Sequence, residues 1–152
     1  MKIRPLKIEE LDEALALAWR VFEQFDAPEY SEQGIQHFRD SIMRENMLKR
    51  ISIGELRFWC CEQDKRLVGI IAVRQHERHI CLLFVDKAYH RRGIASAMIE
   101  TAIEGWRSVT AYSSPYAVEI YKRLGFRATD VECIRDGMRF TPMRKEMQDY
   151  GA

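Results

Sequence analysis

Residues 89–98, Tyr-His-Arg-Arg-Gly-Ile-Ala-Ser-Ala-Met, carry the pattern in this 152-residue chain most suited to chemistry. A helix that begins just after a glycine exposes unpaired backbone N–H groups under a partial positive charge, and anions settle there. Gly93 permits the positive φ that turns successive N–H groups toward one point. Ala95 and Ser96 let a diphosphate approach without a long side chain in the way. Lys87, Arg91 and Arg92 put three positive charges beside this loop in a chain whose net charge is +1, so the remainder is net −2 and the positive field is local. The Walker pattern GxxxxGK[ST] and the dinucleotide fingerprint GxGxxG are both absent, which removes support for nucleotide hydrolysis and dinucleotide binding. The same residues would also serve a plain helix start with two solvated arginines, so the surrounding elements decide.

Those elements read as strand, glycine loop, helix. Three apolar runs, Arg57 to Glu62, Leu67 to Arg74 and Ile80 to Val85, are separated by short polar breaks and predict an antiparallel meander. After the loop, Ile94, Ala97, Met98, Ala102, Ile103 and Trp106 recur at helical spacing. A strand follows at Val109 to Ser113. Ser114 and Pro115 then fit the N-cap and first position of a helix carrying Ala117, Ile120, Tyr121 and Leu124, with Gly125 as the residue past its end. Upstream, a strand at residues 2–6 precedes a helix with apolar positions from Ile8 to Phe25. Asp26 to Glu29 form a loop, and a second helix starts at Ser31 with Ile35, Phe38 and Ile42 facing inward. Phe126 to Cys133 and Met138 to Met147 predict a terminal hairpin around Asp136–Gly137. The strand-helix-strand unit is expected to cross over right-handed.

Length and composition predict one domain over residues 1–152. With 47% hydrophobic residues, a chain of this size buries about 68–70% of its extended-state surface and needs no staple. Cys60, Cys61, Cys81 and Cys133 include no CxxC pair, so reduced thiols are expected and no metal. The balanced charge argues against nucleic acid as a partner. The longest uncharged apolar run, Leu67 to Val73, is far short of a membrane span, and no signal-peptide stretch stands at the N-terminus. A cytoplasmic location is expected.

Two segments resemble the GNAT superfamily of acyl-CoA-dependent N-acetyltransferases. His90 to Ala95 is similar to its Gln/Arg-x-x-Gly-x-Gly/Ala loop, with histidine in place of the usual first residue. Ser114 to Phe126 is similar to its Ala-x-x-x-Tyr-x-x-x-Gly-Phe segment, and the two stand in the family's order. The resemblance implies an α+β fold: a mixed, mostly antiparallel twisted sheet of about six or seven strands, helices on both faces, and a splayed parallel strand pair admitting pantetheine. By the same resemblance, the co-substrate is acetyl-CoA and the activity is acetyl transfer to a primary amine by direct attack in a ternary complex. The alternative is a non-catalytic acyl-CoA-binding regulatory module.

The resemblance also assigns roles. Backbone groups of Leu83 and Val85 would bond the pantetheine amides, and His90, Arg91, Arg92, Gly93, Ile94, Ala95 and Ser96 would line the diphosphate loop. A backbone N–H near Leu83 would polarise the thioester carbonyl, a kind of contact worth roughly 2.7–4 kcal/mol in the barrier. Tyr121 falls at the family's general-acid position beside the cofactor, and equally fits an apolar helical stripe. A lysine-like amine is only about 0.04% neutral at pH 7, so a base or a water relay is useful. His79, at the start of the strand leading to the loop, is the leading candidate base, while Glu77 and Glu62 are weaker ones. Tyr112 stands where many relatives have asparagine. Tyr30, His37, Trp59 and His76 are candidates to line an acceptor pocket, with ordinary core or rim positions as the commoner alternative. Cys81 is expected to be buried and inert. The acceptor is a small-molecule or peptide amine, and a homodimer through an edge strand or the terminal hairpin is one possible assembly.

Overall fold

Strand β3 (Arg66–Arg74) is buried from Leu67 through Val73 on both of its faces, which requires helices above and below the sheet. The computed structural model describes residues 1–148, so the expected domain end at residue 152 lies outside the described residues. β1 (Lys2–Pro5), β2 (Leu56–Gln63), β3 and β4 (His79–Val85) run antiparallel in that spatial order, which is the expected meander. β4 then pairs in parallel with β5 (Ser108–Ser113), and β5 pairs antiparallel with β8 (Met138–Glu146). The short strands β6 (Arg127–Ala128) and β7 (Cys133–Arg135) pair with different parts of β8. Among the described residues the sheet has eight strands rather than six or seven, because the first arm of the terminal hairpin breaks into β6 and β7. Its turn is the expected Asp136–Gly137, with φ of 53° and 78°.

The parallel ladder is short. His79 faces Thr110 and Ile80 faces Ala111, and there the pairing stops, while β4 continues to Val85. β5 stays zipped to β8 from Ser108 to Ser113, so the two parallel strands diverge toward their C-terminal ends.

Helices α1 (Leu11–Val21), α2 (Glu32–Ser41) and α3 (Arg44–Ser52) cover one face, burying Leu11, Leu17, Phe22, Phe38 and Met47 with Phe58, Ile70 and Phe84 of the sheet. Helices α4 (Ile94–Ala102) and α5 (Val118–Arg123) cover the other, packing Ile94, Met98 and Tyr121 with Val68, Ile71 and Val109. Ser31 caps α2 as expected, its hydroxyl accepting from the Gly34 N–H at 3.2 Å.

Three helix boundaries differ from the sequence expectation, and one helix was not expected. The first helix does not run regularly to Phe25: α1 ends at Val21, and Phe22–Asp26 form one π-helical turn, which adds a residue to the winding. α3 went unforeseen because only Met47 of its residues is fully buried, which leaves little amphipathic signal. α4 stops at Ala102, and Trp106 packs from the following turn. α5 starts only at Val118: Ser114 caps a preliminary turn, receiving the Ala117 N–H on both its carbonyl and its hydroxyl. At the end of α5, Gly125 at φ 98° closes a Schellman pair, with Phe126 N–H to the Tyr121 carbonyl and Gly125 N–H to that of Lys122.

Candidate active site

Antiparallel pairing alternates residues that bond across the ladder with residues that do not. The Asp86 N–H bonds the Val68 carbonyl at 2.8 Å, and in this register Phe84 and Leu82 bond toward β3. Leu83 and Val85 therefore turn their N–H and carbonyl groups away from β3 and into the gap left by β5. These are the two residues to which the sequence reading assigned the pantetheine amides, and their backbone groups border the gap.

His90 closes one of those groups. Its Nε2 lies 2.7 Å from the Val85 carbonyl, so the ring donates to the strand end and ties the loop to it. The ring also packs on Phe25, with centroids 5.1 Å apart. Histidine here fastens the loop, which leaves the Val85 N–H and the Leu83 groups for a ligand.

Gly93 stands at φ 78° as the N-cap of α4, and a Cβ added there would meet open space. The first bond within the helix runs from the Ala97 N–H to the Gly93 carbonyl, so the N–H groups of Ile94, Ala95 and Ser96 have no partner inside the helix. No side chain caps them. An open glycine cradle with three bare donors fits a diphosphate.

A cavity of about 1140 Å³ joins this cradle to the other side of the sheet through the gap. His79, Leu83, Val85, His90, Arg91, residues 93–96 and Tyr121 all line it. Arg92 does not: its guanidinium lies over the Tyr89 ring, 5.1 Å from the centroid. Tyr121 is buried edge-on to Phe126, and burial together with the nearby Asp26 charge pushes its phenol well above the ordinary value, so it keeps its proton.

His79 sits at the foot of the gap. Its Nδ1 lies 2.7 Å from the Thr110 hydroxyl, and its ring meets Tyr112 edge-on at 4.5 Å. Burial, helped by the Arg74 charge, brings its pKa down to about 4. The ring is therefore neutral at pH 7, but it is a weaker proton acceptor than an ordinary imidazole.

The side-chain wall facing these groups comes from elements far apart in sequence. Tyr30 and His37 line it, as does Tyr112, which is 53% exposed and lies tilted against Phe140. Trp59 and His76 lie elsewhere: Trp59 packs on β2 under Arg57 with its indole N–H unpartnered, and His76 is in the exposed turn after β3. Cys81 also lines the cavity, its thiol pushed up by burial. Sequence reasoning missed Asp26, which it left in a loop. The carboxyl is only 7% exposed, hydrogen-bonds the Ser114 hydroxyl, and is raised by burial to about 6. The π turn swings it inward, a signal that periodicity does not carry.

Known proteins place this geometry. A family model described as an acetyltransferase (GNAT) domain matches residues 26–147. An uncharacterised N-acetyltransferase of Escherichia coli is 32% identical over 84 residues, which are 53% of this chain and 55% of that protein. An uncharacterised N-acetyltransferase of Methanocaldococcus jannaschii is 29% identical over 146 residues, 85% of this chain and 62% of that one. The chain thus spans between half and two thirds of the length of these curated relatives. The crystal structure of the PaiA N-acetyltransferase from Thermoplasma acidophilum in complex with coenzyme A has the same fold, with a TM-score of 0.77 at 23% identity over 96% of this chain and 98% of that chain. The family match spans both motifs and both diverging strands, and this chain belongs to the GNAT acetyltransferase family.

Proposed function

We propose that the protein transfers the acetyl group of acetyl-CoA to a primary amine by direct attack within a ternary complex. The observation that carries this reading is the unzipped edge of β4. Leu83 presents backbone groups to a gap that opens on the bare N–H cluster of α4 at one end and on a side-chain-lined cavity at the other. Bound acetyl-CoA would supply the acetyl group as a reactive thioester. The cradle at Gly93 and the Arg91 charge would hold its diphosphate, and the Leu83 N–H would donate to the carbonyl oxygen as charge develops there. Tyr121 holds a proton in the cavity wall for the departing sulfur.

His79, the base the sequence suggested, enters this reading as a neutral ring at the foot of the gap, fixed by Thr110. With a conjugate acid near pKa 4 it competes poorly for an ammonium proton, which leaves most proton uptake to another group or to water. No helix among the described residues is long and apolar enough to cross a membrane. The four thiols are unpaired, in keeping with a reducing cytoplasm.

The test is a thermal-shift comparison of acetyl-CoA, CoA and ATP, followed by free-thiol release with an amine panel. Stabilisation by both CoA species but not by ATP, with amine-dependent thiol release, is expected. Binding of acetyl-CoA without turnover on any amine would replace the enzyme with an acyl-CoA-binding regulatory module.

A further inference from the structure

Asp26 is a carboxylate with more than nine tenths of its surface covered, at the wall of a large cavity. Burying such a group is costly unless something compensates its charge. Among the described residues its one hydrogen-bond donor is the Ser114 hydroxyl, which takes Oδ1, and no ion pair forms at it. The groups that face it do not supply a cation. Tyr30 from the turn after it, and Tyr116 and Tyr121 from the segment after β5, are phenols, and each is held protonated in part by the Asp26 charge. Arg139 and Glu132 act on Tyr30, and Arg91 and Arg123 on Tyr116, from outside this cluster. Oδ2 is thus left without a hydrogen-bond partner, in a cavity that Phe22, Phe25, Tyr30 and Tyr121 also line. An acidic oxygen among aromatic faces suits an ammonium group on an apolar stem, through charge pairing and cation–π contact together.

We propose that Asp26 binds the protonated primary amine of the acceptor through Oδ2 and takes one proton from it, selecting amines whose nitrogen rides on an apolar stem. This rests on the acetyl-transfer reading and names the acceptor side of the same site. The protons balance. One passes from the ammonium to Oδ2, freeing the lone pair. The N–C bond forms as the C–S bond breaks, and the departing sulfur takes the Tyr121 proton. The surplus proton on the new amide nitrogen restores the phenol, and the proton on Asp26 goes to solvent. Relative to His79, a carboxyl titrating near 6 accepts the first proton about a hundredfold more readily.

The test uses phenethylamine as acceptor and phenethyl alcohol as its neutral analogue. In Asp26→Asn, acetyl-CoA stabilisation in a thermal shift should persist, while kcat/KM for phenethylamine falls about a hundredfold or more and the pH-profile limb near 6 disappears. Phenethylamine should stabilise the wild type but not the variant, and the alcohol should stabilise neither. Ser114→Ala, which removes the donor that holds the carboxyl down, should move the limb upward and keeps the proposal testable if the asparagine variant does not fold. Activity within threefold of wild type, or a uniform loss that keeps the limb, would overturn the Asp26 assignment. A wild type that binds phenethylamine through Asp26 yet releases no thiol would uphold the ammonium site and refute the transfer reading instead.

Discussion

The two walls of the cavity are made of different material. The wall toward α4 is backbone: the β4 edge at Leu83 and Val85, and the N–H groups of residues 94–96 behind Gly93. The wall toward α1 and α2 is side chain: Asp26 and Phe25 from the π turn, Tyr30 after it, His79 and Tyr112 from two different strands. A backbone site needs only that nothing obstruct it, so it is specified by small residues at short spacing. A side-chain site needs particular groups to converge from distant segments, and no local pattern records that.

The sharpest way to break the contrast is to block the backbone wall. Gly93→Glu places a side chain where a Cβ meets open space, at a φ of 78° that costs a non-glycine residue about 1–2 kcal/mol. The fold should survive while an anion fills the cradle. Acetyl-CoA affinity is expected to fall about a thousandfold by calorimetry, since each lost decade is about 1.4 kcal/mol, with the far-UV spectrum unchanged. Retained affinity would mean that the diphosphate is held elsewhere.

Tyr121 belongs to both walls, lying on the α5 stripe while lining the cavity. Tyr121→Phe keeps the packing on Phe126 and removes only the hydroxyl. Turnover should drop about a hundredfold with little change in the KM for acetyl-CoA, as expected for a lost general acid. A uniform loss of thermal stability with full turnover would make the residue a core tyrosine.

This division explains what could be read in advance. The meander, the crossover, the Ser31 cap and the Gly125 terminus follow from local rules of period and capping, and the diverging pair came from the family likeness. The loop at Gly93 was legible because its chemistry lies in the main chain. Asp26 was not, since a carboxylate before Ala27–Pro28 looks like loop punctuation. Only the π turn, which no 3.6-residue period reveals, brings it to Ser114, 88 positions away. His79 was legible as a histidine at the start of its strand, but its lowered pKa was not, because that comes from burial in the folded sheet and from the Arg74 charge on the neighbouring strand.

Within the side-chain wall, Asp26 and His79 oppose each other in acid. Asp26 titrates at about 6 folded against an ordinary value of 3.8, so the native state binds its proton more readily, and its contribution to stability declines as pH rises through that window. His79 titrates at about 4 against 6.5, so the unfolded state takes its proton first, and its contribution declines as pH falls from 6.5 to 4. Each shift of two units or so amounts to about 3 kcal/mol, and over pH 4–6 the two slopes nearly cancel. Glu10, held down to about 2 from 4.5 chiefly by its bond to Arg4, contributes stability that declines as pH falls from about 4.5, at the acid edge of this window and in both variants alike. Asp26→Asn should therefore unmask a Tm that climbs by roughly 6–12 °C between pH 4 and 6.5, and His79→Gln a Tm that falls over pH 4–6. Parallel profiles for the two variants would show that one of these groups is not buried as described.

The smallest expected effect tests the backbone wall at its edge, where the sequence offered two arginines as equals. Arg91 lines the cavity, whereas Arg92 lies over Tyr89 outside it. Arg91 already holds φ 63° with a Cβ in place, so Arg91→Ala leaves the backbone strain as it is and removes only the charge. Acetyl-CoA affinity should weaken about fivefold, and the loss should shrink as salt rises, because an exposed charge acts through a screened field. Arg92→Ala should change affinity by less than about twofold at any ionic strength. Equal losses from both substitutions would mean that the loop attracts the diphosphate by its summed charge, and that the N–H cradle does less of the holding than its geometry implies.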